Sequence, residues 1–221
     1  MKPQEIEAAS FAIIDGEAGP HPFGADEWSI VRRMIHTTAD FDYMTDIRMH
    51  PRAMASGVAA LRAGCEVFTD TQMALAGIRR RDLERLGGRA SCLIAEDEIA
   101  RKALTAGTTR AEAAVDAAVD RLDGAIYVVG NAPTALLRLM ALIRQGRAAP
   151  ALVVGLPVGF VNAAESKAEL PAAGAPYITN VGRKGGSNVA AAVVNALIGL
   201  ALAGSREHDE AGSWSARRAE G

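Results

Sequence analysis

Apolar positions along this chain recur with two different periods. Short runs in which most residues are apolar or β-branched, EVFT (66–69), SCLIA (91–95), AIYVVG (125–130), ALVVG (151–155) and PYITNV (176–181), have the length and composition of buried strands. Between them lie Ala- and Leu-rich stretches with helical spacing, such as RAEAAVDAAVDRLDG (110–124) and PTALLRLMALIRQG (133–146), each closed by the glycine that helix ends favour. Two further helical segments, 3–16 and about 26–36, precede the first strand and are joined by the breaker-rich GPHPFG. The alternation predicts a parallel sheet, and strands apolar on both faces need helices on both sides. The expected fold is α/β, a single doubly wound domain over 1–204 with a mainly parallel sheet of about five strands flanked by helices. The end, 205–221, has almost no aliphatic content and reads as a mobile tail.

Composition narrows the picture further. A chain of 221 residues fills one such domain, and with 49% hydrophobic but only 5% aromatic residues its core must be aliphatic. The net charge of -2 offers no general attraction to nucleic acid or an anionic membrane. The run VAAAVVNALIGLALAG (189–204) is too short to cross a bilayer and reads as a buried helix. Glu5, Glu7, Asp15 and Glu17 break any signal-peptide pattern, and Cys65 and Cys92 lack metal-ligand spacing, so a reduced, cytoplasmic location is expected.

Ligands of open α/β sheets bind beyond the carboxyl ends of the strands. There the sequence places TDTQM, GNAPTAL, GLPVGFVNAAESK and NVGRKGGSN. The last resembles a phosphate loop but fails the Walker spacing, because Lys184 precedes the pair Gly185 and Gly186. Helix-terminal amides with Arg183 and Lys184 would still suit an anion, carboxylate as readily as phosphate; the bland alternative is a tight turn with solvated cations. Asn131, and Thr69, Asp70 and Thr71, are either helix caps or ligand-facing groups. His36 ends an amphipathic helical pattern, where an imidazolium suits the negative helix end, and the nearby carboxylates Asp40 or Asp42 would favour the same charged form. It is a plain helix-end residue or a proton donor, since imidazole ordinarily titrates near neutrality. No metal-ligand cluster, nucleophile elbow or dinucleotide fingerprint is present in the sequence.

Six ordered motifs then converge. SFAII (10–14), MIHTTADFDY (34–43), TDTQMALAGI (69–78), GNAPTAL (130–136), PVGFVNAAESK (157–167) and GRKGGSNVAAAVVNAL (182–197) together resemble the precorrin-8X / cobalt-precorrin-8 methylmutases of cobalamin biosynthesis. The resemblance implies a homodimeric isomerase that moves a methyl group between neighbouring carbons of ring C in a corrinoid precursor, without methyl donor or cofactor. Any cobalt would arrive in the substrate, and the motifs look more like the cobalt-inserted branch. The family's catalytic acid falls on His36 and its substrate-contacting serine on Ser10. Arg183, Lys184, Gly185 and Gly186 become the foremost expected partners of substrate carboxylates, with Thr71, Gln72, Arg79, Asn131 and Lys167 as further substrate-binding nominations. Asn162 departs from the family pattern, which has glycine there. The competing class is a corrinoid carrier with the same pocket and no use for a titrating His36. A nucleotide-binding protein, a third idea, lacks its phosphate fingerprint.

Overall fold

The computed structural model describes the backbone of residues 2–219, and side chains as far as Ala203 with the exception of Gln4. In chain order the elements are α1 (Pro3–Ala18), α2 (Ala25–Thr38), α3 (Tyr43–Asp46), β1 (Ile47–Met49), α4 (Ala53–Arg62), β2 (Glu66–Thr69), α5 (Gln72–Gly77), α6 (Arg80–Arg85) and β3 (Arg89–Ser91). They continue with α7 (Asp97–Ala106), α8 (Arg110–Ala118), β4 (Ile126–Val129), α9 (Pro133–Arg144), β5 (Leu152–Gly155), α10 (Ala163–Glu169), β6 (Tyr177–Asn180) and α11 (Ser187–Ala219). The side chains of the expected tail, 205–221, lie outside the described residues.

Among the described residues one sheet holds six strands in the order β1-β6-β5-β4-β2-β3. All neighbours are parallel except β1, which pairs antiparallel with β6 through Ile47 opposite Asn180. The sheet thus has one strand more than the sequence runs suggested, and β3 lies at Arg89–Ser91 rather than across SCLIA. Period-two alternation sends Val67, Ile126, Val128, Leu152, Val154 and Ile178 to one face, against α2, α4 and α11. Phe68, Tyr127, Val129 and Val153 pack on the other, against α8 and α9. Each fully buried aliphatic side chain in these layers contributes about 1.5–3 kcal/mol of burial free energy.

The chain runs outward from β2 to β3, then returns across β2 to β4 and continues to β5 and β6 on the other side. Strand order therefore reverses between β2 and β4. Helices leave these two strands toward opposite faces, since Ile78 and Leu83 join the first apolar layer and Ala135, Leu136 and Leu139 the second. A crevice at the carboxyl ends of β2 and β4 follows from this topology.

Candidate active site

The crevice is built around a buried carboxylate. Asp70, directly after β2 and 1% exposed, accepts hydrogen bonds from the backbone N–H groups of Gly130 (2.8 Å), Asn131 (2.8 Å) and Ala132 (2.7 Å). Burial pushes its carboxyl above the ordinary value while the amides pull the other way. Asp70 thereby takes the anion seat at the start of α9. Asn131 is not the side-chain cap considered from sequence: Ala132 occupies that position, and the Asn131 side chain is left exposed. Thr71 does cap α5, accepting from Ala74 N–H at 3.1 Å, and its hydroxyl lies 2.8 Å from that of Ser187. Gly130 makes this junction possible, because a Cβ there would stand 2.6 Å from Ser187 Cα. Gln72 donates to the carbonyl of Cys92 at 3.2 Å.

The glycine-rich loop from β6 to α11 closes the other wall. Gly185 has φ +153, and a Cβ there would come within 2.3 Å of the Leu156 carbonyl oxygen, so the loop presses onto the end of β5. Of the groups expected to meet substrate carboxylates, two have partners inside the protein. Gly186 N–H donates to Leu156 C=O at 2.9 Å, and Lys184 Nζ donates to Asp40 and Asp42 at 2.6 and 2.5 Å. Arg183 is exposed, has no carboxylate partner among the described residues, and lies with its guanidinium carbon 5.3 Å from the Phe160 ring centroid. Lys167 is 2% exposed and donates to Asn180 Oδ1 (3.1 Å) and Lys184 C=O (2.5 Å). It holds the loop from beneath.

His36 occupies the last turn of α2, as its pattern predicted, and is exposed. With Ser10, Ile13, Ala39 and Phe41 it lines a cavity of about 390 Å³. Its ring meets Phe11 edge-on with centroids 5.3 Å apart, and Arg32 and Arg33 lie over the same phenyl ring at 4.3 and 4.7 Å. The carboxylates expected beside it, Asp40 and Asp42, turn instead to Lys184, and the acidic group whose environment includes His36 is Glu7. A hydrogen bond from Arg33 holds the Glu7 carboxyl below its ordinary value against the opposing effect of burial, with the charges of Arg33, Arg79 and His36 adding to it. Ser10 faces the same cavity while its hydroxyl donates to Ile6 C=O at 2.9 Å. Arg79 is tied by its backbone N–H and guanidinium to Asn195, at 2.8 and 2.9 Å.

These two groupings, the cavity at His36 and the strand-end crevice, occur in a chain whose residues 5–200 match the family model described as Precorrin-8X methylmutase. The chain belongs to the precorrin-8X methylmutase family. A cobalt-precorrin-8 methylmutase from Priestia megaterium is 46% identical over 204 residues, covering 92% of this chain and 91% of the relative. A precorrin-8X methylmutase from Pseudomonas aeruginosa is 41% identical over 196 residues, covering 88% and 94%. The crystal structure of a precorrin-8x methyl mutase from Thermus thermophilus superposes with a TM-score of 0.86 at 48% identity, covering 91% of this chain and 97% of that one.

Within this methylmutase family member the strand ends carry more exposed apolar surface than sequence reasoning assigned to them. Of the eight large hydrophobic residues exposed among the described residues, Met73, Val158, Phe160, Val161 and Val181 follow β2, β5 or β6, with Phe160 83% exposed and Val161 77%. This is the edge at which open α/β sheets commonly receive ligands. The signal was available as apolar residues inside a turn-rich segment, PVGFVN, where no periodicity calls for them. Asn162, the departure from the family glycine, has φ +59. Asparagine tolerates this left-handed backbone better than most other side chains, so it suits a turn position that glycine would also serve.

Proposed function

We propose that the chain catalyses methyl migration on ring C of a corrinoid precursor with His36 as the proton donor. Membership of the family makes it an isomerase, a methylmutase of cobalamin biosynthesis. Its relatives' names divide between cobalt-precorrin-8, at 46, 45 and 45% identity, and precorrin-8X, at 48 and 41%, so the preference for the cobalt-bearing substrate rests on the motifs and not on these identities. The migrating methyl leaves one ring carbon as it bonds to the neighbour, so no donor is consumed. Protonation of a ring nitrogen makes the conjugated system more electron-poor and eases that transfer.

The observation that carries this reading is the placement of His36, exposed on the wall of a cavity shared with Ser10 and held edge-on by Phe11. The exposed Phe160 and Val161 suit the broad face of a macrocycle, and Arg183 suits one of its carboxylates. Thr71, Gln72, Asn131 and the Gly185 amide are further candidates for polar contacts. We read the enzyme as a cytoplasmic homodimer needing no cofactor of its own. The test is an anaerobic absorbance assay with precorrin-8X and its cobalt form, run beside a binding titration. His36→Ala is expected to bind substrate with turnover reduced about 10²–10⁴-fold. Turnover equal to the wild type would reduce His36 to a helix-end residue, and binding without turnover by either protein would favour a carrier.

A further inference from the structure

Lys184 belongs to the glycine-rich loop, yet its ammonium reaches carboxylates 144 and 142 residues earlier in the chain, Asp40 Oδ2 at 2.6 Å and Asp42 Oδ2 at 2.5 Å. Both aspartates lie in the turn leaving α2, and that turn is tightly fixed. Asp40 N–H donates to Thr38 Oγ1 at 3.3 Å, Asp42 N–H to Asp40 Oδ1 at 3.0 Å, and the Thr38 hydroxyl to Met34 C=O at 2.8 Å, across the helical turn that contains His36. The other end of Lys184 is equally constrained. Its carbonyl accepts from the buried Lys167 ammonium at 2.5 Å and from Asn180 Nδ2 at 3.0 Å.

Stability explains this arrangement poorly. The Lys184 side chain is 41% exposed and Asp42 69%, and ion pairs so exposed contribute little. Two carboxylates brought to one ammonium also repel each other. What the bridge does is join two segments that carry different parts of the proposed chemistry. The hydrogen bond from Lys184 holds the Asp40 carboxyl below its ordinary value, and the two aspartates raise that of the ammonium, so this ammonium and the Asp40 carboxylate are both charged at neutral pH.

We infer that Lys184 is a positioning residue: its ammonium ties the glycine-rich loop to the turn that follows the His36 helix, holding the carboxylate seat and the acid in one register. It contacts no substrate carboxylate itself. This rests on the reading of His36 as the acid, and the experiment separates the two.

Turnover of cobalt-precorrin-8 and precorrin-8X would be followed for Lys184→Met, Lys184→Arg, the double variant Asp40→Asn with Asp42→Asn, the triple variant adding Lys184→Met, and His36→Ala. Misplacing an acid lowers kcat, so Lys184→Met is expected to lose about 10–100-fold in kcat with KM within about threefold. Lys184→Arg should recover most of the loss. The double aspartate variant should lose as much as Lys184→Met, and the triple variant no more, because one bridge is broken in each. Thermal melts confirm folding, and the aspartate variants carry the test should Lys184→Met misfold. A rise in KM with kcat unchanged, or losses that multiply in the triple variant, would make Lys184 a substrate ligand and overturn the inference. His36→Ala active at the wild-type rate would sink the acid reading instead; an unaffected Lys184 series beside an inactive His36→Ala would sink the inference alone.

Discussion

Ala39 ends α2 at φ +54 and ψ +31, a left-handed conformation that costs an alanine about 1–2 kcal/mol. Its N–H nevertheless closes the helix on Ile35 C=O at 2.7 Å, and the residue lines the cavity with His36. Strain of this kind persists where the surroundings enforce it, often beside reacting groups. Ala39→Gly is therefore expected to raise unfolding free energy by about 0.5–1 kcal/mol, and Ala39→Val to lower it by more than that, in urea titrations. Sequence reading placed His36 at a helix end correctly, because amphipathic spacing and a polar stop are local signals. The strained residue three positions on was illegible, since nothing in MIHTTADF forces an alanine into a left-handed turn.

Among elements, the runs that became β4 and β5 were legible because burial on both faces leaves them almost wholly apolar, and β6 because β-branched Ile178 and Thr179 mark it. β1 was not, being three residues, Ile-Arg-Met, of which Arg48 is exposed. SCLIA misled for a physical reason. Leu93 and Ile94 are apolar because they pack beneath α8 and α9, as a loop, while the strand itself precedes them at Arg89–Ser91. That edge strand is bolted to the sheet by Glu66, which accepts from Arg89 at 2.9 Å, from Ser91 at 2.6 Å and from Arg121. Burial works to raise the Glu66 carboxyl, but the hydrogen bonds prevail and hold it at about 2. A carboxyl depressed in the fold stabilises above its unfolded value and loses that contribution as pH falls toward the folded one. Glu66→Gln should then cost about 1–2 kcal/mol at pH 7, discounted for the exposed arginines, and the gap to wild type should narrow steadily below about pH 4.5. Urea unfolding across that range checks it.

At the scale of the whole molecule, the doubly wound arrangement followed from alternation of elements, whereas the contacts that assemble the site join residues far apart in sequence. Asp70 meets amides 60 to 62 residues on, and Lys184 meets Asp40 across 144. No local pattern announces such pairs. The buried lysine beneath the glycine-rich loop also ties global stability to alkaline pH. Burial pushes the Lys167 ammonium down to about 8, so above that value the folded chain holds fewer protons than the unfolded one. Stability of the wild type relative to Lys167→Met should therefore rise, by about 1–3 kcal/mol, between about pH 8 and 10.5. A flat difference across that range would mean that the lysine keeps an ordinary, hydrated ammonium in the fold.

Asp70 has one further consequence. Tethered to the end of β2 and already bonded to three amides, it acts as a resident competitor, present at an effective concentration that a dissolved anion does not easily match. The place where open α/β sheets commonly receive a phosphoryl group is thus taken from within, and a nucleotide arriving there would have to displace part of the protein.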